Sequence, residues 1–99
     1  MSNMGKIYKD DIGVLIKADT GIDLSGAASM ELKVLKPSAE EVSWIAYEDE
    51  TDAGYIDYIT VDGDLEEVGV YKIQAWVYIT DESIHRGETF YLQVYDHYA

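Results

Sequence analysis

The chain holds two histidines and no cysteine, so the side chains that most often drive covalent catalysis at neutral pH are scarce. A nucleophilic Ser or Cys needs a base positioned within hydrogen-bond reach. His85 falls in a loose hairpin over 80–87 and His97 in the C-terminal tail, and neither sits in a recognisable motif. Both read as solvated, so no catalytic residue is assigned and the chain reads as non-enzymatic. Zinc asks for several clustered His, Cys or carboxylate ligands, and two distant histidines are too few. No Gly-rich loop opens a helix, so a phosphate cradle is absent as well. Calcium takes oxygens, often from loop acids and carbonyls. Asp49, Glu50 and Asp52 form one acidic loop cluster, and Asp62 and Asp64 another. Neither follows the EF-hand spacing, and Asp in such loops also bonds turn backbone. These acids stand as calcium candidates beside a turn-forming role, and no metal or other cofactor is assigned.

A stronger signal is a face. Over residues 69–79, Tyr71, Ile73, Ala75, Val77 and Ile79 alternate with Lys72, Gln74, Trp76 and Tyr78. A run this long with period two is a sheet strand. A last strand over 87–95 places Phe90, Leu92 and Val94 inward. Pairing Val77 with Phe90, Ala75 with Leu92 and Ile73 with Val94 sets Trp76 opposite Tyr91 and Lys72 opposite Tyr95. A third strand over 41–47, on the other side of the long one, adds Ile45 and Tyr47. Ile45, Tyr47, Trp76, Tyr78, Tyr91 and Tyr95 then form a wide aromatic patch. Exposed aromatics ringed by charge point to a contact surface, although cross-strand aromatic pairs also stabilise a sheet by themselves. The hairpin over 80–87 also offers Ile84 and Arg86 at its tip.

The element that must position this face is the stretch over 64–71. In immunoglobulin-like sandwiches a tyrosine near the start of strand F folds back onto upstream backbone and plugs the core. Here the turn is Asp62-Gly63-Asp64, followed by Leu65, Gly69 and Tyr71. Trp44, in the third strand, takes the place of the usual central plug of such a core. Lys36-Pro37-Ser38-Ala39-Glu40 reads as a hairpin loop in which Ala39 sits where glycine would hold a left-handed backbone more easily. Short strands joined by turns at regular spacing, with no sustained helical period, give an all-β class. The architecture expected is an immunoglobulin-like Greek-key β-sandwich of six to seven antiparallel strands with a tyrosine corner. Its organisation is an N-terminal tail over 1–10, one domain over 11–96 and a C-terminal tail over 97–99.

Composition narrows the partners. The chain has 99 residues, room for one core. Its 20 acids against 7 bases give a formal charge of −13, which argues against nucleic acid, whose affinity comes from basic groups meeting phosphate. No apolar run approaches membrane-spanning length, and the first residues lack the apolar centre of a signal peptide. No nucleic acid, no membrane insertion and no signal-peptide secretion are therefore expected.

The order of the pieces resembles a known family. Asp11-Ile12-Gly13 opens a strand, and Ile22-Asp23-Leu24-Ser25-Gly26-Ala27 leads to Met30-Glu31-Leu32-Lys33-Val34. Lys36-Pro37-Ser38-Ala39-Glu40-Glu41-Val42-Ser43-Trp44 makes a hairpin, Gly63-Asp64-Leu65 leads to Gly69-Val70-Tyr71-Lys72-Ile73-Gln74-Ala75, and Arg86-Gly87-Glu88-Thr89 starts the last strand. This resembles the small immunoglobulin-like domains of bacteriophage virion proteins, such as the N-terminal domain of upper-baseplate proteins. The resemblance implies a structural module for virion assembly or attachment in a baseplate, tail or capsid decoration. It implies a place in the virion after synthesis in host cytoplasm, with other virion proteins or further copies of itself as partners. The alternative is a carbohydrate-binding, adhesin-like module, with or without calcium.

Overall fold

A computed structural model describes residues 6–80 and 83–99. Residues 1–5 of the expected N-terminal tail, and Asp81 and Glu82 of the expected loose hairpin, lie outside the described residues. The chain is an all-β, immunoglobulin-like sandwich of two sheets. Its strands are β1 (Ile7–Tyr8), β2 (Leu15–Asp19), β3 (Ser29–Leu35), β4 (Glu41–Ile45), β5 (Tyr47–Glu48), β6 (Tyr55–Ile59), β7 (Gly69–Thr80) and β8 (Ser83–Tyr95). One sheet has five strands in the order β1-β8-β7-β3-β4, and the other three in the order β2-β6-β5.

The count exceeds expectation for a local reason. The strand expected over 41–47 leaves one sheet and joins the other at Ala46, which is buried and donates its amide to the Met30 carbonyl at 3.1 Å. Trp44 thus belongs to the large sheet and Tyr47 to the small one. The expected tail also contributes structure. Ile7 and Tyr8 pair in parallel with Val94 and Tyr95, the one parallel pairing among the described strands. Across the same end His97 Nε2 contacts the Lys9 carbonyl at 3.0 Å, so residues 6–10 and 97–99 are bonded to each other.

Burial follows the alternation. Tyr71, Ile73, Ala75 and Val77 of β7 face Ile16, Ala18 and Ile56 of the small sheet within one core. Leu65 is fully buried, and Trp44 stacks on Tyr58 with ring centroids 4.8 Å apart. The corner closes as its residues require. The Tyr71 hydroxyl donates to the Glu67 carbonyl at 3.1 Å and accepts from the Glu67 amide at 3.0 Å, so a buried hydroxyl and two loop backbone groups satisfy one another. Gly69 has φ of 134°, and a Cβ there would stand 2.9 Å from the Pro37 Cβ. Only glycine allows the corner to lie so close to the β3–β4 hairpin. That hairpin is tied to the corner by Glu67, which accepts from the Ser38 amide and hydroxyl, and by buried Lys36, 3.4 Å from Glu66. Ala39 holds φ of 74°.

The β7–β8 register differs from the expected one. Ile73 stands opposite Phe90 and not Val94, a slip of four residues. Both strands extend further toward the hairpin than expected, so that Thr80 pairs with Ser83, and Ile84, His85 and Arg86 are strand residues. From Gly69 to Gln74 the even slip keeps each side chain on its own face; beyond the bulge the offset becomes odd, so His85 turns inward opposite Val77 and Arg86 outward beside Trp76. A bulge sets Gly87 and Glu88 opposite Ala75, and bulges of this kind blunt an edge against further pairing.

Candidate functional site

The outer face of the five-stranded sheet can be read in rows across β4, β3, β7 and β8. One row is Ile45, Glu31, Trp76, Arg86; the next is Ser43, Lys33, Gln74, Thr89; the third is Glu41, Leu35, Lys72, Tyr91. The second row and Glu41, Leu35 and Lys72 of the third, closed at one end by Trp76, line a groove of about 530 Å³. The outward side chains are short at Ser43 and Thr89 and long at Lys33, Lys72 and Trp76, which leaves the groove between them.

Trp76 is held from several sides. Its Nε1 donates to Gln74 Oε1 at 2.9 Å, and Gln74 Nε2 donates to the Gly87 carbonyl at 2.9 Å. The Lys33 ammonium lies 5.0 Å and the Arg86 guanidinium carbon 4.2 Å from the ring centroid. Each such cation–π contact is worth about 0.5–1 kcal/mol at an exposed site. Lys33 also donates to Ser43 Oγ at 3.2 Å and sits 3.2 Å from Glu31. Tyr78 bonds the Glu31 carboxylate, which raises its pKa, with burial adding to the shift. Sequence reasoning found Trp76 but missed Lys33 and Arg86 as its partners. Lys33 two positions before Leu35 on an outward face was a signal; Arg86 was hidden by the register.

The structure brings only part of the expected aromatic patch together. Ile45, Trp76 and Tyr78 share one end of the outer face, with Glu31 between Ile45 and Trp76. Tyr91 lies opposite Lys72, two rows away. Tyr95 lies against Tyr8 and under the Lys6 ammonium. Tyr47 is in the other sheet, opposite Asp57. The four-residue slip and the crossing at Ala46 are the reasons. His85, expected in a solvated loop, is a strand residue whose Nε2 contacts the Thr20 carbonyl at 2.8 Å across the sandwich.

The calcium candidates are occupied with backbone and with a cation of the chain's own. Asp49 Oδ1 accepts from the Thr51 and Asp52 amides at 2.8 Å each, while Lys17 ion-pairs with both Asp49 and Asp52. Asp64 Oδ2 accepts from the Tyr58 hydroxyl at 2.5 Å and from the Val61 amide at 2.8 Å. Asp62 is exposed. Among the described residues no three His, Cys, Asp or Glu side chains gather as metal ligands. Asp57, which sequence reasoning passed over, is the unusual acid. It is buried on the outer side of β6, its Oδ1 has no partner among the described residues, and it contacts Asp49. Burial first, and then Asp49, push its carboxyl up, whereas the Asp52 and Thr51 amides hold Asp49 well below the usual range.

The small sheet has an exposed aliphatic row of its own. Leu15 stands opposite Ile59, and Ile12 and Val61, also exposed, lie near them in sequence.

No known family profile matches the chain, and no curated protein sequence matches it. A solved structure does: CopC from Methylosinus trichosporium OB3b, at 17% identity over 97% of this chain and 89% of that one, with a TM-score of 0.54. The likeness is one of fold. It corrects the resemblance to phage virion domains, because the solved structure that matches is CopC and not an upper-baseplate protein. The virion location with its non-secreted route, the assembly or attachment role in baseplate, tail or capsid, and the carbohydrate-binding alternative are withdrawn with it. The motifs behind that resemblance were corner, turn and plug residues. Any sandwich of this architecture needs such residues, whatever its task.

Proposed function

We propose that this chain is a non-catalytic binding module that presents the outer face of its five-stranded sheet to another protein. The observation that carries the reading is the gathering of Lys33, Lys72 and Arg86, three of only seven bases, around Trp76 and its groove on a chain of charge −13. Of the three, Lys33 is paired with Glu31, while Lys72 and Arg86 have no acidic partner among the described residues. The absence of an enzymatic role is supported by both imidazoles being engaged with backbone carbonyls, His85 with Thr20 and His97 with Lys9. Nucleic acid does not belong to the reading, given the net charge; no helix among the described residues is long and apolar enough to cross a membrane. The rival surface is the aliphatic row around Leu15 and Ile59. Its surroundings give no property of a partner, whereas the groove gives a charge.

Site-specific photo-crosslinking separates the two. A benzophenone side chain replacing Thr89 in the groove should capture a protein in a lysate of the native cells, and one replacing Ile59 should not. Capture from Ile59 alone, or equally from both positions, overturns the reading.

A further inference from the structure

We infer that the groove beside Trp76 receives an extended acidic segment of a partner protein, with one carboxylate on Lys72 in the groove and another on Arg86, which lies against Trp76 outside the groove's lining. The inference rests on the contact-face reading and supplies its chemistry.

Trp76 does not offer a bare ring. Lys33 and Arg86 both lie against it, so the face exposes ammonium and guanidinium groups and not an aromatic plane. A guanidinium stacked on indole keeps its in-plane N–H groups free for a bidentate carboxylate. Lys72 and Arg86 have no acidic partner among the described residues, in a chain with 20 acids to choose from. Between them lie Ser43, Gln74 and Thr89, hydrogen-bonding side chains of no net charge, and the one acid in the lining, Glu41, stands at the β4 side of the Lys72 row. Lys72 and Trp76 are four residues apart on β7, a span of roughly 13 Å at strand rise. An extended ligand laid along the strand covers that span in about four residues, so acids at positions one and five reach both cations. The remaining surface is strongly negative. A long polyanion would run beyond the groove onto it, so a short acidic stretch fits and a nucleic acid does not.

The test titrates the folded chain with a synthetic peptide of alternating Glu and Ser, and follows backbone amide shifts together with Trp76 emission. Trp44 is buried and serves as an internal reference. The inference expects shifts confined to the rows of Lys33, Gln74 and Lys72. It also expects an affinity weakened at least about tenfold by Lys72→Glu with Arg86→Glu, and partly by Lys72→Gln with Arg86→Gln, in variants that keep the strand spectrum. Binding that the substitutions leave unchanged, shifts elsewhere on the molecule, or no binding at millimolar peptide overturns it. Tighter binding of a single-stranded oligonucleotide also overturns it. If a peptide of alternating Lys and Ser binds the same rows instead, the acidic occupant is wrong while the contact face stands.

Discussion

Asp57→Asn should make this protein more stable at neutral pH, although it replaces a buried charged group on a strand. Asp57 sits between Lys17 of β2 and Tyr47 of β5, in contact with Asp49 and near Asp52. One of its oxygens is buried without a partner. A carboxyl raised in the fold binds its proton more tightly than in the unfolded chain. Its contribution therefore favours folding below the unfolded pKa and is lost as pH rises through the folded one. Asp49 behaves in the opposite sense: its contribution is present above its unfolded pKa and is lost only in strong acid. At neutral pH the pair therefore carries a like-charge contact that asparagine removes, while its amide can donate to Asp49. An unsatisfied buried polar group costs about 1–3 kcal/mol. Recovering about 1 kcal/mol raises Tm by roughly 4–8 °C in a domain of this size. Thermal melts followed by near-ultraviolet circular dichroism should show the variant melting higher at neutral pH. The gap should narrow as the pH falls into the acid range and the raised Asp57 carboxyl takes up its proton. A variant that melts lower at neutral pH, or a gap independent of pH, refutes the reasoning.

Tyr71→Phe removes both bonds to the Glu67 backbone and should cost about 1–3 kcal/mol in urea unfolding, with the slope unchanged; an unchanged midpoint would mean the corner is ornamental. Ala39→Gly relieves a residue at φ 74° and should stabilise by about 1 kcal/mol in the same assay. Millimolar calcium, and EDTA after it, should leave Tm unmoved, because Lys17 holds Asp49 and Asp52 while Tyr58 and Val61 hold Asp64. A calcium-dependent rise would restore the loop acids as ligands.

How much of this was legible in the sequence depends on the range of the interaction. Leu65, Gly69 and Tyr71 announce the corner because their spacing is local and each has a steric or hydrogen-bonding reason. The inward and outward faces of β7 and β8 were legible too, since alternation is a property of each strand alone. Register was not. Slipping by four residues leaves the same residues inside, so nothing in the pattern distinguishes Phe90 from Val94 opposite Ile73; the choice is made by where the strands meet at Thr80 and Ser83. The crossing at Ala46 was equally hidden, because Trp44, Ala46 and the residues around them keep their alternation while changing sheets. Those two non-local facts dispersed the six-residue patch, and the bulge at Gly87 and Glu88, which swaps the faces of β8 beyond it, put Arg86 on Trp76. The buried Asp57 had no signal at all, since its neighbours Lys17 and Asp49 come from other segments.

The claim most worth testing is that Trp76 lies in a positive pocket on a negative molecule. Iodide and caesium quench indole emission by collision, and near a charged group the ion of opposite sign is favoured. Quenching constants for Trp76, isolated by subtracting the Trp76→Phe variant, should be larger for iodide than for caesium despite the charge of −13, and Lys33→Gln with Arg86→Gln should reverse the order. Stronger quenching by caesium in the wild-type chain would contradict the account.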